Sequence, residues 1–496
     1  MKIFNKYSFL VLALLTMLFS CEDLDVENTN QPDSFKVYSS AVDMVGLSGA
    51  LFNTWYHGTH EYDGAGLMFN TAADNTTCSW GNQAMRDMSW EPRKAWDNSP
   101  NYSYEGVSKY LFDKVFSANY TARVILKRIE EGMDFGEDEA KVKAMCKFIQ
   151  GISHGYIGLV FDKAYVVTED VFDDELASLE LVPYTDLRDQ AIKSLDEAIA
   201  IANASSFTIP AGWLGGDTEY TSGQLAQIIN SFAARILSYT PRSKAENGAV
   251  DWAKVKNYAD NGVSSDFVIQ GDGWNEWYNE HMIYSVYPGW GRTDMRIINM
   301  MDPGQPARWE DRADFPHPAE TAAGKAGVDQ RIYSDFQYLS SNNFRTERGY
   351  YHFSNYRLSR YDYFIGPWTG DMPEIYVAEN DMLRAEARMH LGDLSGAADI
   401  INAGTRVTRG GLAPVAVDQA AINAAIHHER QVELSCTGLG IQFFDMRKDD
   451  MLQKGTILHL PLPAKVLEIL GDPRPFYTFG GTDNADGLGT SSGGWF

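Results

Sequence analysis

Apolar residues recur every three or four positions along several stretches of this chain, the spacing that puts them on one face of a helix. Leu187, Ala191, Leu195 and Ala198 predict a helix from about Tyr184 to Ala202. Leu225, Ile228, Phe232 and Ile236 repeat the pattern. Trp252, Val255 and Ala259 begin another stripe, and Ala122, Ile125 and Ile129 mark an earlier one. Residues 141–160 read as a further helix that tolerates an unusual number of glycines.

The clearest pairing signal lies at 374–409, where two stripes flank Gly392-Asp393. Ala385 lies before that turn, and Ala397, Ile401 and Gly404 follow it. Small residues at such offsets let two antiparallel helices touch closely, as in tetratricopeptide repeats. Arg388 stands about where that repeat carries a large aromatic. The 184–202, 224–239 and 252–264 stripes can pair in the same way. The expected fold is therefore mostly α, a single body of tetratricopeptide-like helix pairs with long irregular insertions.

Those insertions hold much of the aromatic content. Eight of the twelve tryptophans fall in two windows, Trp55–Trp96 and Trp274–Trp309. Gly, Pro, Asn and Asp interrupt both windows, so they read as loops. Trp252 sits on a helical stripe and reads as core, while Trp213, Trp368 and Trp495 are isolated and carry no assignment.

The N-terminus has its own pattern. Lys2 and Lys6 precede a run from Phe9 to Phe19 in which only Thr16 is polar, and Ser20-Cys21 follows. The run is too short to span a hydrocarbon layer of about 30 Å as a helix, so it reads as a secretory leader. A cysteine at the cleavage point resembles a bacterial lipobox, with Cys21 the lipid anchor. Residues 1–20 are then a signal peptide, 21–40 a lipidated tether, and 41–496 the folded body. That body would lie outside the cytoplasm and touch the membrane through the lipid only.

Net charge is −25, which argues against a nucleic-acid partner. Beyond Cys21 there remain Cys78, Cys146 and Cys436, with no CxxC spacing. These read as buried thiols, with one disulfide the alternative. His427-His428-Glu429-Arg430 lacks the HExxH spacing, and the Asp483–Gly487 stretch lacks a downstream acidic ligand. No metal or cofactor is expected, and no phosphate-binding or nucleophile-elbow motif occurs.

Two stretches resemble the SusD/RagB family. One runs from Arg384 through His390-Leu-Gly-Asp-Leu to Ala398, similar to that family's late helix pair. The other is Glu429-Arg430-Gln-Val-Glu433-Leu434, continuing to Gly438, Phe443-Phe444-Asp445-Met446-Arg447 and Leu460-Pro-Leu-Pro463. It departs from the family pattern at Thr437, which stands for the usual Glu, and at Gln442, which replaces an Arg; two residues look inserted. These departures remove the buried ion pair usual in that turn. Glu22, Asp23 and Asp25 resemble the acidic export tag of Bacteroidetes surface lipoproteins. The resemblance implies four tetratricopeptide-like pairs and an outer-membrane, cell-surface lipoprotein without catalytic activity. Its partner would be a SusC-like TonB-dependent transporter, to which it delivers captured oligosaccharide or polysaccharide.

A glycan site needs flat aromatic faces for the sugar's C–H surface and amides or charges for its hydroxyls. Asp74, Asn75, Trp80, Trp90 and Trp96 offer that mixture, as do Trp274, Trp277, Tyr284, Trp290 and Arg292. At least two of the six tryptophans among these are expected to line the site. The alternative for any single one is that it anchors its own loop to the scaffold. Three rival functions remain at this stage: a peptide-capturing RagB-like member, a lid without ligand, and a surface glycoside hydrolase. The last needs two carboxylates roughly 5–10 Å apart across a cleft.

Overall fold

Three glycines on one helix set the packing of the first helices. The computed structural model describes residues 38, 40–78, 80–309, 319–341 and 352–496. The leader, Cys21 and most of the proposed tether lie outside these, as does the side chain of Cys78. By contacts the chain divides into residues 1–44 and 45–496, and everything that follows concerns the second unit. Its principal helices are α1 (Ala41–His60), α2 (Gly106–Glu130), α3 (Glu139–Val160), α4 (Tyr184–Ala204), α5 (Ser222–Tyr239), α6 (Trp252–Asp260), α7 (Val377–His390), α8 (Leu394–Ala403), α9 (Gln419–Val432) and α10 (Ile441–Lys448).

They pack as α2 with α3, α4 with α5, α6 with α7, and α8 with α9, and successive pairs also touch. On α3, Gly151 faces Leu195 of α4, Gly155 faces Ile236 of α5, and Gly158 lies against the carbonyl of Tyr184. The glycines that weaken the helical signal are thus its contact face. A Cβ at Gly155 would run into the Ile236 side chain. Gly155→Val is expected to cost about 1–3 kcal/mol through overpacking, read as a lower urea midpoint with an unchanged slope. An unchanged midpoint would show that the helices can part at no cost.

Local signals fix the helix ends. Thr221 and Gln224 form a reciprocal capping box at the start of α5, and Asp393 accepts the Gly396 N–H to start α8. Both satisfy backbone donors that an open helix terminus leaves unpaired. The stripe residues Leu187, Ala191, Leu195 and Ala198 are fully buried. Trp252 lies in the core and stacks on His390 at 4.1 Å, an aromatic contact at α7 beside the position Arg388 occupies.

The two motif-bearing stretches meet in buried ion networks. Lys448 Nζ donates to Glu386 at 2.6 and 2.7 Å. Arg430 joins Glu386 at 2.7 Å and Asp445 at 3.0 Å. Arg331, fully buried, is held by Asp329, Glu429 and Glu433 at 2.6–2.9 Å. His427 and His428 serve these networks through Asp445 and Asp329. In the turn where the sequence departs from the family pattern, neutral bonds stand in for the ion pair. The Gln442 amide donates to the carbonyls of Arg430 and Leu434 at 3.0 and 2.8 Å, and the Thr437 hydroxyl donates to Leu434 O.

Cys146 and Cys436 are buried free thiols. Burial pushes the thiol of Cys436 up to about 11, which leaves it unreactive near neutrality. Among the described residues no helix is long and apolar enough to cross a membrane.

Residues 261–376 run between α6 and α7. They include the antiparallel pairing of strand Phe267–Asp272 with strand Thr369–Ile375. A second short ladder joins Thr76–Cys78 to Gly291–Thr293. The two tryptophan windows are only partly loops: α1 spans Trp55, which is fully buried, and short helices occupy Gly66–Ala72, Glu280–Val286 and Met295–Met301.

Candidate functional site

Each of the two ladders ends in a pair of tryptophans. In the first, Cys78 pairs with Gly291, so Trp80 and Trp290 leave from the same end. In the second, Thr369 pairs with Asp272, so Trp368 and Trp274 do likewise. The ladder backbone therefore brings together residues that lie far apart in sequence.

The turn after Asp272 is built by its carboxylate, which accepts the N–H groups of Asn275 and Glu276 at 2.9 Å each. Gly273 N–H donates to Trp368 O at 3.0 Å. Within this turn Trp274 takes φ +73° and Trp368 φ +56°, a left-handed conformation that bulky residues adopt only at a cost. Their rings meet edge to face at 5.2 Å. Trp274 also stacks on Tyr278 at 5.6 Å, and it remains 40% exposed.

Trp80, 55% exposed, and Trp274 line a groove of about 470 Å³ together with Tyr62, Asn82, Glu280, Ile283, Tyr284 and Trp290. Glu280, Ile283 and Tyr284 share one face of helix Glu280–Val286 by their spacing. Asn279 caps that helix, accepting the Met282 N–H at 2.8 Å. Tyr284 packs on Trp290 at 5.4 Å and on Tyr62 at 5.8 Å. Its hydroxyl donates to Asn82 Oδ1 at 2.8 Å, and the Asn82 amide donates to the Tyr62 hydroxyl. The result is a set of flat faces fixed by a short polar chain.

Of the residues expected from sequence, Trp80, Trp274, Tyr284 and Trp290 come together here. The others serve the scaffold. Arg292 is buried and donates to the carbonyls of Pro288 and Gly291 at 2.6 and 2.8 Å, which holds the turn carrying Trp290. Burial, and then the nearby charge of Arg357, pull its pKa down to about 10. Asp74 is buried and accepts from Arg93 at 2.5 Å and from Gln453 and Trp495 at 2.8 Å. Asn75, also buried, donates to Gln431 O and anchors the first ladder.

Trp96 and Trp277 are core residues rather than ligand contacts. Trp96 packs edge to face on Tyr102 at 5.3 Å, and Trp277 packs on Tyr56 and Phe52 at 5.8 and 6.2 Å. Trp90 is half-buried under the Lys94 ammonium, 4.1 Å from its ring centre, and does not line the groove. Tyr62, Glu280, Ile283 and Trp368 were not expected from sequence. The glycines before Trp274 and Trp368, in Gly273-Trp and Gly366-Pro-Trp, are the signal that could have found the second aromatic pair.

Residues 238–459 match the SusD family model. Among solved structures, a SusD superfamily protein from Bacteroides fragilis is similar with a TM-score of 0.56 at 12% identity, over 91% of this chain and 96% of that one. A SusD superfamily protein from Bacteroides vulgatus gives 0.53 at 14% identity, over 83% and 88%. A SusD-like carbohydrate binding protein from Bacteroides vulgatus gives 0.54 at 13% identity, over 83% and 84%. No curated protein sequence matches. At these identities the structural likeness is one of fold.

Proposed function

Because this chain belongs to the SusD/RagB family, we propose that it captures oligosaccharides in the groove between Trp80 and Trp274. It is then a cell-surface lipoprotein of the outer membrane, anchored through Cys21, that passes its ligand to a TonB-dependent transporter. The observation that carries this reading is the pair of solvent-open indoles on a rigid aromatic wall. Exposed tryptophans are costly to leave in water, and a sugar's C–H face offers them cover. The solved relative described as carbohydrate binding supports the same assignment. Among the described lining residues Glu280 is the one acid, which favours capture over the two-carboxylate chemistry of hydrolysis.

Binding is expected to be weak, about micromolar to millimolar or roughly −4 to −8 kcal/mol, because one side of each stacked ring stays wet. Weak binding also suits a ligand that must be released. Affinity electrophoresis of the purified protein against neutral, amino and acidic polysaccharides tests the reading. Retardation in one or two gels supports it, and mobility unchanged in all of them counts against glycan capture.

A further inference from the structure

The groove's aromatic walls surround one ionisable group, and its surroundings are of a single sign. Glu280 lies half-buried on the groove wall with Ile283 and Tyr284. Its Oε2 accepts the Tyr62 N–H at 2.8 Å. Burial raises the affinity of this carboxyl for a proton, the Tyr62 N–H opposes that, and the charges of Glu61 and Asp63 add to it. Those two acids are held by neutral or weakly basic donors: Glu61 by the Tyr278 hydroxyl at 2.7 Å and by His57, Asp63 by the Gln83 amide at 2.8 Å. Among the described residues no lysine or arginine pairs with Glu280.

We propose that this groove selects glycans by charge, with Glu280 as the specificity-determining residue: a sugar bearing a free amine is preferred to a neutral one, and a uronate or sulfate is refused. The inference rests on the glycan reading of the same groove. A protonated amine over the faces of Trp80, Trp274 or Trp290 gains from the ring quadrupoles. Its N–H groups can also donate to the free oxygen of Glu280 in a charge-assisted bond. A carboxylate or sulfate in that place would face a like charge in a partly dry environment, where screening by water is reduced. The net charge of −25 biases the whole surface toward cations, so a raw preference for amines is not sufficient evidence. The change produced at Glu280 is.

The test uses the purified full chain and three tetrasaccharides with the same β-1,4 linkage, built from glucosamine, glucose or glucuronate, titrated calorimetrically. Glu280→Gln keeps an oxygen for the Tyr62 N–H and so preserves the wall while removing the charge. Asp189→Asn, an exposed site on α4, removes the same charge away from the groove. The glucosamine tetramer is expected to bind about tenfold more tightly than the glucose tetramer, a step of about 1.4 kcal/mol, with the glucuronate tetramer the weakest. Glu280→Gln should bring the first two to within about twofold, whereas Asp189→Asn should leave the preference as it was. An unaltered preference in Glu280→Gln, an equal loss in Asp189→Asn, a glucuronate tetramer bound as well as glucose, or no binding of the glucosamine tetramer would each overturn the proposal. In any of those cases, retardation by a neutral or acidic polysaccharide would leave capture itself standing.

Discussion

Replacing Trp80 and Trp274 together with alanine is expected to abolish retardation by whichever polysaccharide the wild-type protein binds. Each indole loses a stacking face worth about 1–2 kcal/mol. Against a total of about −4 to −8 kcal/mol, the pair takes most of what holds the ligand. Either single substitution should weaken binding by about tenfold or more.

The stability readout separates this effect from a folding defect. Trp274 occupies a left-handed conformation at φ +73°, so Trp274→Gly relieves backbone strain of roughly 1–2 kcal/mol. That variant should bind poorly yet unfold no more easily than wild type. Trp96→Ala and Trp277→Ala should do the reverse, each costing about 3–5 kcal/mol of stability as buried aromatics. Full retardation of the Trp80/Trp274 double variant would place the ligand elsewhere.

Glu386→Ala is expected to be among the most damaging single changes, at about 3–5 kcal/mol. Lys448 and Arg430 are fully buried and both lean on this carboxylate, so its loss leaves cations without their counter-charge in the core. The double change Glu386→Leu with Lys448→Met removes both signs and should be milder than Glu386→Ala alone.

The same network sets an acid limit. Burial pushes the Glu386 carboxyl upward, but the charges of Arg430 and Lys448 outweigh it and hold it at about 2, against an ordinary value of 4.5. A depressed carboxylate contributes its stability in full above the unfolded value and loses it as pH falls through the folded one. Stability should therefore drop between pH 4.5 and about 2, by roughly 3 kcal/mol from this group. Urea midpoints measured across that range should fall steeply for wild type and less steeply for Glu386→Gln. Parallel curves would show that this carboxylate does not govern the acid limit.

The helices were legible because their signal is local. Leu187 to Ala198 and Leu225 to Ile236 each put one face inward, and the structure buries those faces. The glycines of α3 blurred the pattern, since they mark where a neighbouring helix comes close, and proximity to a distant segment leaves no local trace. The motif stretches were legible for a different reason: Glu386, Arg430 and Asp445 form one buried network, so their identities are tightly constrained.

The groove was half legible. A loop rich in Trp, Asn and Arg marks the region, but which rings face outward depends on partners hundreds of residues away. Trp277 is covered by Phe52 and Tyr56 from α1, whereas Trp274, three residues earlier, is turned out by the Asp272 turn. Arg292 and Asp74 carry ligand-like chemistry, yet backbone carbonyls and Arg93 claim them first.

Helices α6 and α7 are neighbours in space although residues 261–376 intervene. The ladder between Phe267–Asp272 and Thr369–Ile375 draws that excursion together at its neck. A segment that enters and leaves through one paired neck can be exchanged as a cassette without moving the helices that carry it. Trp274, Glu280, Tyr284 and Trp290 belong to the cassette; Tyr62, Trp80 and Asn82 do not. Recombination at the neck would hand over one jaw of the clamp and keep the other, so new ligand repertoires can arise by mixing jaws rather than by accumulating point changes.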